Sequence, residues 1–196
     1  MGSCSQYQRI LSKGSLGEKY QYATELYELR KYGKALRLFE LIIPSYRGKP
    51  QMERIQYMTS NSYLNLKDYS NAAYYFERFT QNYPNSSMVE SASFLSAKSY
   101  YLDSPKYSVD QETTHKALTS LQRHINKYPD TKDLDICNQM VKDLTFRLET
   151  KSFMISKLYY DIGHYKAAIV SFDTMLLEFL GTSYREEVLY YKFLAS

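Results

Sequence analysis

One stretch of the chain, "DYSNAAYYFERFTQNYP" from Asp68 to Pro84, constrains the fold more than any other, because its pattern returns three more times. Ala72 is small enough for two helices to approach closely, and Phe76 fills the space beside them. Pro84 closes the helix, since it lacks an amide hydrogen. "KYGKALRLFELII" carries the same order in Tyr32, Ala35, Phe39 and Ile42. "THKALTSLQRHINKYP" carries it in Ala117, Leu121 and Pro129, and "HYKAAIVSFDTML" in Tyr165, Ala168, Phe172 and Met175. The small residues stand at 35, 72, 117 and 168, at intervals of 37, 45 and 51.

An aromatic, a small residue, a large apolar residue and a closing Pro form the pattern of the second helix in a tetratricopeptide repeat, whose ideal period is about 34 residues. The array is therefore irregular, with two insertions. One is the polar loop "LDSPKYSVDQETT", Leu102 to Thr114, broken by Pro105. The other lengthens the helix before the fourth repeat: Thr131 to Asp161 holds no Pro or Gly, and Ile136, Met140, Leu144 and Leu148 recur at helical spacing. "YREEVLYYKFLAS" reads as the first helix of a fifth repeat without its partner, which leaves apolar surface at a solenoid end. The expected fold is all-α, a right-handed superhelix of tetratricopeptide-like helix pairs with about four and a half repeats. Residues 16–196 form one domain on this reading, with repeats near 16–52, 53–89, 90–131 and 132–183 and the start of a fifth at 184–196. Residues 1–15 read as a lipidated tether or an expression remnant.

Composition agrees with long helices joined briefly: the 196 residues include only 7 Gly and 5 Pro, and 44% are hydrophobic. A mean hydropathy of -0.51, without an apolar run near 18 residues, excludes a transmembrane helix within these residues. Net charge is +4 with the signs alternating along the chain. Residues 1–98 carry 13 Lys+Arg against 8 Asp+Glu, and residues 99–196 carry 12 against 13, so the excess of basic groups lies in the first half. Alternating charges give no basic stripe, so nucleic acid is not an expected partner. Two cysteines, Cys4 and Cys137, make no disulfide framework. Cys137 reads as a small buried apolar residue. His115, His124 and His164 fall in separate segments without metal-ligand spacing, and no phosphate loop or nucleophile elbow occurs. The sequence offers no support for an enzyme, a metal or a cofactor.

A working face is expected on the first helices, which line the concave side of such superhelices. Aligned on a small residue (Ala23, Ser60, Ala97, Ser156), they place Tyr20, Tyr57, Phe94 and Phe153 three positions earlier. Tyr27, Leu64, Tyr101 and Tyr160 come four positions later, and Thr24, Asn61, Lys98 and Lys157 one position later. These rows share a helical face. Tyr20, Tyr27, Tyr57, Asn61, Phe94 and Lys98 are the candidate peptide-binding groove, because Tyr offers a wide apolar ring, a hydroxyl and little entropy to lose. Packing between repeats is the alternative for each ring.

The order of these features resembles the BamD family of outer-membrane assembly lipoproteins. The matching residues are the early Cys in "CSQYQRILSK", the repeat "EKYQYATELYELRKYGKALRLFELIIPSYRG", "SYLNLKDYSNAAYYFERFTQNYPNS", "YLDSP" followed by "DQETTHKALTSLQRHINKYPDT", and the long helix leading to "YREE". The Tyr-rich style most resembles members from the Bacteroidetes. The resemblance implies that Cys4 carries the lipid anchoring the protein to the periplasmic face of the outer membrane, with "SQYQRILSKGSLG" as a short tether. It further implies a non-catalytic scaffold of the β-barrel assembly machinery, whose partners are the periplasmic domains of a BamA-like barrel subunit and outer-membrane protein substrates with their signal peptides. Two departures stand out: no basic and apolar signal segment precedes Cys4, and Ser3 occupies the position where Gly or Ala is most common. A different periplasmic repeat adaptor and a cytoplasmic protein-interaction adaptor stand as the alternatives.

Overall fold

The computed structural model describes the backbone of residues 3–196 and the side chains from residue 6 onward. Ten helices and no strand occur among the described residues: α1 (Ser3–Lys13), α2 (Leu16–Glu28), α3 (Tyr32–Tyr46), α4 (Gln51–Asn65), α5 (Tyr69–Asn82), α6 (Val89–Asp103), α7 (Glu112–Lys127), α8 (Leu134–Asp161), α9 (Tyr165–Glu178) and α10 (Arg185–Ala195). Each helix packs chiefly on its neighbours in sequence, and the pairs α2–α3, α4–α5, α6–α7 and α8–α9 build a superhelix of helix pairs.

Close packing within each pair follows from the small residues. Ala23, Ser60, Ala97 and Ser156 on the first helices are fully buried, as are Ala35, Ala72, Ala117 and Ala168 on the second helices. Phe39, Phe76, Leu121 and Phe172, four residues after each Ala, are also fully buried. The two serines bury no unsatisfied hydroxyl: Ser60 donates to the Gln56 carbonyl at 2.9 Å and Ser156 to the Ser152 carbonyl at 2.9 Å.

The insertions leave the pair geometry intact. From the small residue of one helix to that of its partner the chain runs 12 residues in three pairs (23 to 35, 60 to 72, 156 to 168) and 20 in the third (97 to 117). Most of the excess lies in loop 104–111, and the rest lengthens the ends of α6 and α7 that face it. Arg147 from α8 donates to the Ser104 carbonyl at 3.1 Å and to its hydroxyl at 2.9 Å, Lys151 donates to the Val109 carbonyl at 2.7 Å, and buried Gln111 donates to the Lys106 and Val109 carbonyls at 2.9 Å each. The lengthened α8 serves two repeats: Cys137, Met140 and Leu144 bury against α6 and α7, and Phe153 packs with α9. Burial pushes the Cys137 thiol up to about 11, so it behaves as a small hydrophobe.

The expectation of a tether before residue 16 is corrected. Ser3–Lys13 is helical, and Tyr7 and Ile10 are buried in the first core cluster with Tyr22, Leu26 and Leu38. A tight turn makes this docking possible. A Cβ on Gly14 would lie 2.5 Å from the Ile10 carbonyl oxygen, so only Gly fits there. Ser15 then starts α2 with a capping box, its hydroxyl accepting from the Glu18 amide at 3.3 Å and its amide donating to the Glu18 carboxylate at 2.7 Å. That hydrogen bonding, with the Ser15 amide foremost, holds the Glu18 carboxyl below its ordinary value. The segment reads as a short tether in sequence because it offers only one and a half turns of apolar spacing. The side chain of Cys4, expected to carry the lipid, lies outside the described residues.

Turns inside the pairs also repeat. α2 and α4 end on residues with positive φ, Arg30 at 57° and Lys67 at 62°, and the pair α8–α9 uses Gly163 at 80°. Amides of Lys31, Asp68 and His164 reach back to carbonyls of Leu26, Tyr63 and Tyr159 at 2.8, 3.0 and 2.8 Å, the 6→1 bond of a Schellman motif. A left-handed conformation costs a side-chain-bearing residue about 1 kcal/mol more than glycine. Lys67→Gly is therefore expected to stabilise the domain by about 0.5–1 kcal/mol, checked as a rise in the thermal midpoint against the parent chain.

Candidate functional site

The six candidate groove residues come from α2, α4 and α6; five of them meet a neighbouring helix, and Lys98 lies over Phe94 of its own helix. Tyr20 packs beside Tyr46, ring centroids 5.5 Å apart. Tyr27 meets Tyr32 edge-on at 5.7 Å, and its hydroxyl accepts a hydrogen bond from the Asn61 amide of the next repeat. Tyr57 meets Phe76 at 5.7 Å and Phe79 at 5.5 Å, both edge-on, and its hydroxyl lies 2.9 Å from the Ser91 hydroxyl of the third pair. Phe94 is buried, 9% exposed, with the His124 ring 5.8 Å away and the Lys98 ammonium 5.9 Å from its centroid. Tyr20, Tyr27, Tyr57, Asn61 and Lys98 are half-buried. Tyr27, Asn61 and Tyr57 fasten one repeat to the next, while Tyr20 and Phe94 pack within their own helix pairs.

The fastening extends along the chain. Tyr101 on α6 donates to the Asp143 carboxylate on α8 at 3.0 Å, and Thr150 on α8 lies 3.0 Å from the Tyr184 hydroxyl. One such polar contact therefore joins each first helix to the first helix of the next repeat or to the turn that begins it, a spacing of 34 residues in three cases and 42 at the insertion. Each tyrosine hydroxyl is satisfied without penetrating a neighbour's core.

Sequence reasoning missed two further repeated devices. Tyr63 on α4 donates to Glu40 on α3 at 2.7 Å, and Tyr100 on α6 donates to Glu77 on α5 at 2.9 Å. Both members recur after 37 residues, which is the signal that could have found them. Burial and then the carboxylate raise both phenols, Tyr100 to about 12 and Tyr63 further. The second device is the turn between repeats. Amides of Ser86, Thr131 and Thr182 donate to the carbonyls of Tyr83, Tyr128 and Phe179 at 3.1 Å each, giving the shared signature aromatic-x-x-Ser/Thr. The Ser86 hydroxyl then reaches Glu53 at 2.5 Å and the Thr182 hydroxyl reaches Glu149 at 2.7 Å, each glutamate seven residues before its helix's small residue.

His124 lies beneath Phe94 and is fully buried. Its Nδ1 is 3.1 Å from the Ser93 hydroxyl, Nε2 has no partner, and its ring lies 5.2 Å from that of Tyr128, whose hydroxyl is likewise unpaired. Desolvation lowers its pKa below the ordinary 6.5, opposed by the more distant Glu90 and Asp133. Among the described residues no group of three or more His, Cys, Asp or Glu is placed to hold a metal ion, and no helix is long and apolar enough to cross a membrane.

A helix-pair superhelix fastened by tyrosines defines a protein of the tetratricopeptide-repeat class. The family profile YfiO, described as an outer membrane lipoprotein, matches residues 13–196, and the chain belongs to that family. "Outer membrane protein assembly factor BamD" of Rickettsia prowazekii is 26% identical over 174 residues, 87% of this chain and 68% of that protein. "Putative outer membrane protein assembly factor BamD" of Aquifex aeolicus is 25% identical over 196 residues, 99% of this chain and 64% of that protein. The chain thus spans about two thirds of the length of these two relatives. A thermophilic TPR protein of Thermus thermophilus superposes with a TM-score of 0.44 at 16% identity, covering 92% of this chain and 98% of that one.

Two outcomes test the roles assigned to these side chains. Tyr27→Phe removes the acceptor of the Asn61 amide and is expected to cost about 1 kcal/mol of stability, with little further loss when Asn61→Ala is added, measured by denaturant unfolding of the four chains in the cycle. For His124 the neutral form is favoured in the folded state, so stability is full above pH 6.5 and falls as pH drops below 6.5 toward the lowered folded pKa. Thermal midpoints between pH 7.5 and 5 should show this fall in the parent chain and a shallower one in His124→Gln.

Proposed function

We propose that the chain is a non-catalytic scaffold of outer-membrane β-barrel assembly, held at the periplasmic face of the outer membrane by a lipid on Cys4. The observation that carries the reading is the family match over residues 13–196, with relatives named as outer membrane protein assembly factors over most of the chain. Several acyl chains on one residue give stable anchoring where a single chain is marginal. A lipidated Cys4 would place α1 at the membrane surface, and the buried Tyr7 and Ile10 would transmit that position to the first repeat.

On this reading the partners are the periplasmic domains of the barrel subunit and the signal segments of outer-membrane proteins. The half-buried edges of Tyr20, Tyr27, Tyr57, Asn61 and Lys98, with Phe94 supporting Lys98 from below, offer rings, amide groups and one cation along α2, α4 and α6. Such a surface suits an extended peptide: aromatic edges receive its side chains while amide and ammonium groups meet its carbonyls. The basic excess of residues 1–98 favours partners with acidic groups.

Isothermal titration of the purified chain against the periplasmic domains of the source organism's barrel subunit tests the assembly role. Micromolar or tighter binding is the expected result. Absence of binding by a folded chain would leave the repeat architecture in place and remove the assembly role. For the groove, Lys98→Ala, which disturbs no hydrogen bond, should weaken binding of a substrate-derived peptide about threefold to tenfold with an unchanged melting temperature.

A further inference from the structure

A cleft of about 580 Å³ opens between α3, α4 and α5, away from the proposed groove. Its α4 residues Met52, Gln56 and Thr59 form one stripe of the helix, and Tyr57 and Asn61 lie roughly 150° around the axis from it at 3.6 residues per turn. Ile43, Met52 and the rings of Tyr75 and Tyr83 form apolar walls, while Arg47, Arg78 and Glu40 bring charge. The Tyr75 ring is held in place by stacking on Tyr63, centroids 5.1 Å apart and planes within 2°.

Comparison with the next repeat shows what is unusual here. A smaller cleft of about 380 Å³ contains Glu77, Tyr100, Glu112, His115, Lys116 and Arg123. Both clefts are built on the same clamp, Tyr63 with Glu40 in the first and Tyr100 with Glu77 in the second. The second cleft neutralises itself, because Arg123 pairs with Glu77 at 2.9 Å and Lys116 with Glu112 at 2.7 Å. In the first cleft Glu40 receives the Tyr63 hydroxyl, and among the described residues neither Arg47 nor Arg78 has a carboxylate within 4.0 Å. Arg78 instead lies over the Tyr74 ring, 5.6 Å from its centroid, and donates to the Tyr74 hydroxyl at 3.2 Å. The hydroxyl of Thr59, a residue 2% exposed, has no hydrogen-bond partner in the floor of the cleft.

We propose that this cleft is a second docking site, which takes a peptide segment carrying an acidic side chain beside a large apolar one. The carboxylate sits between Arg47 and Arg78, whose planar guanidinium groups match it in charge and geometry. The apolar side chain enters between Tyr75, Tyr83, Met52 and Ile43, where aromatic rings supply contact area at low entropy cost. A cleft of this size holds two or three side chains, so the partner is a short segment of a protein and the site works independently of the α2–α4–α6 face.

The test uses fluorescence polarisation with the full chain and a labelled pentapeptide, blocked at both ends, that carries one Glu next to one Phe. Binding is expected, with a loss of about tenfold when Glu is replaced by Gln, a similar loss in Arg47→Ala or Arg78→Ala at unchanged melting temperature, and weakening with added salt. Glu40→Gln, which keeps an acceptor for Tyr63 and removes the cleft's own negative charge, should tighten binding about threefold. The proposal is overturned by equal affinity for the Glu and Gln peptides, by binding that survives the double substitution of Arg47 and Arg78 to Ala, or by no binding at millimolar peptide. Preference for an unblocked peptide whose only carboxylate is its C-terminus would overturn the assignment to an acidic side chain.

Discussion

The whole structure depends on the close approach of two helices at a pair of small, fully buried residues. Ala23 with Ala35, Ser60 with Ala72, Ala97 with Ala117 and Ser156 with Ala168 recur in all four pairs. Complete burial at those points leaves no room for branched side chains, and Phe39, Phe76, Leu121 and Phe172, also fully buried, fill the space beside them. Everything else is attached to this unit. Because it is local, the chain can accept extra residues between units provided that each one survives intact.

The two insertions obey that rule in different ways. Loop 104–111 adds length between helices, and hydrogen bonds from Arg147 and Lys151 pin it to α8. The lengthening of α8 adds residues inside a helix, where the face would rotate unless whole turns are added. The interval between second-helix alanines grows from 37 to 51, an increase of 14 residues. At 3.6 residues per turn that is close to four turns, and Phe153 and Ser156 lie on the side of α8 roughly opposite to Met140 and Leu144, so one side packs on α6 and α7 and the other on α9. A long helix can then serve as the second wall of one repeat and the first wall of the next.

How much of this was legible in the sequence depends on how local each feature is. Ala72, Phe76 and Pro84 encode the helix pair within a few residues, so the all-α superhelix of pairs could be read directly. The Tyr27–Asn61 and Tyr57–Ser91 contacts lie 34 residues apart, and the rows of rings were visible while their partners were not. Tyr is equally suited to a groove and to an interface, because ring and hydroxyl can each be satisfied by solvent, peptide or protein. The α1 helix was misread as a tether because its burial rests on Tyr7 and Ile10 and on a turn whose only mark is Gly14 followed by Ser15. The cleft beside α4 was invisible for another reason: it joins residues of three helices, and its significance lies in ion pairs that do not form.

Tyrosine abundance takes on a physical sense in this architecture. A solenoid has no single deep core, and its repeats meet along thin interfaces that solvent reaches from both sides. Phe at those seams would leave apolar edges in water, whereas Tyr buries its ring and finishes in a hydroxyl that reaches a neighbour's Asn, Ser, Asp or Glu. Tyr27, Tyr57, Tyr63, Tyr100 and Tyr101 all do so, and Tyr184 reaches a Thr in the same way. At the far end the pattern stops: Tyr190 and Phe193 of α10 are 60% and 76% exposed, and Leu177 and Leu180 more so. Apolar surface of that extent is costly in water. The seams between pairs are closed by directional polar contacts, while the face of α10 is chiefly apolar area.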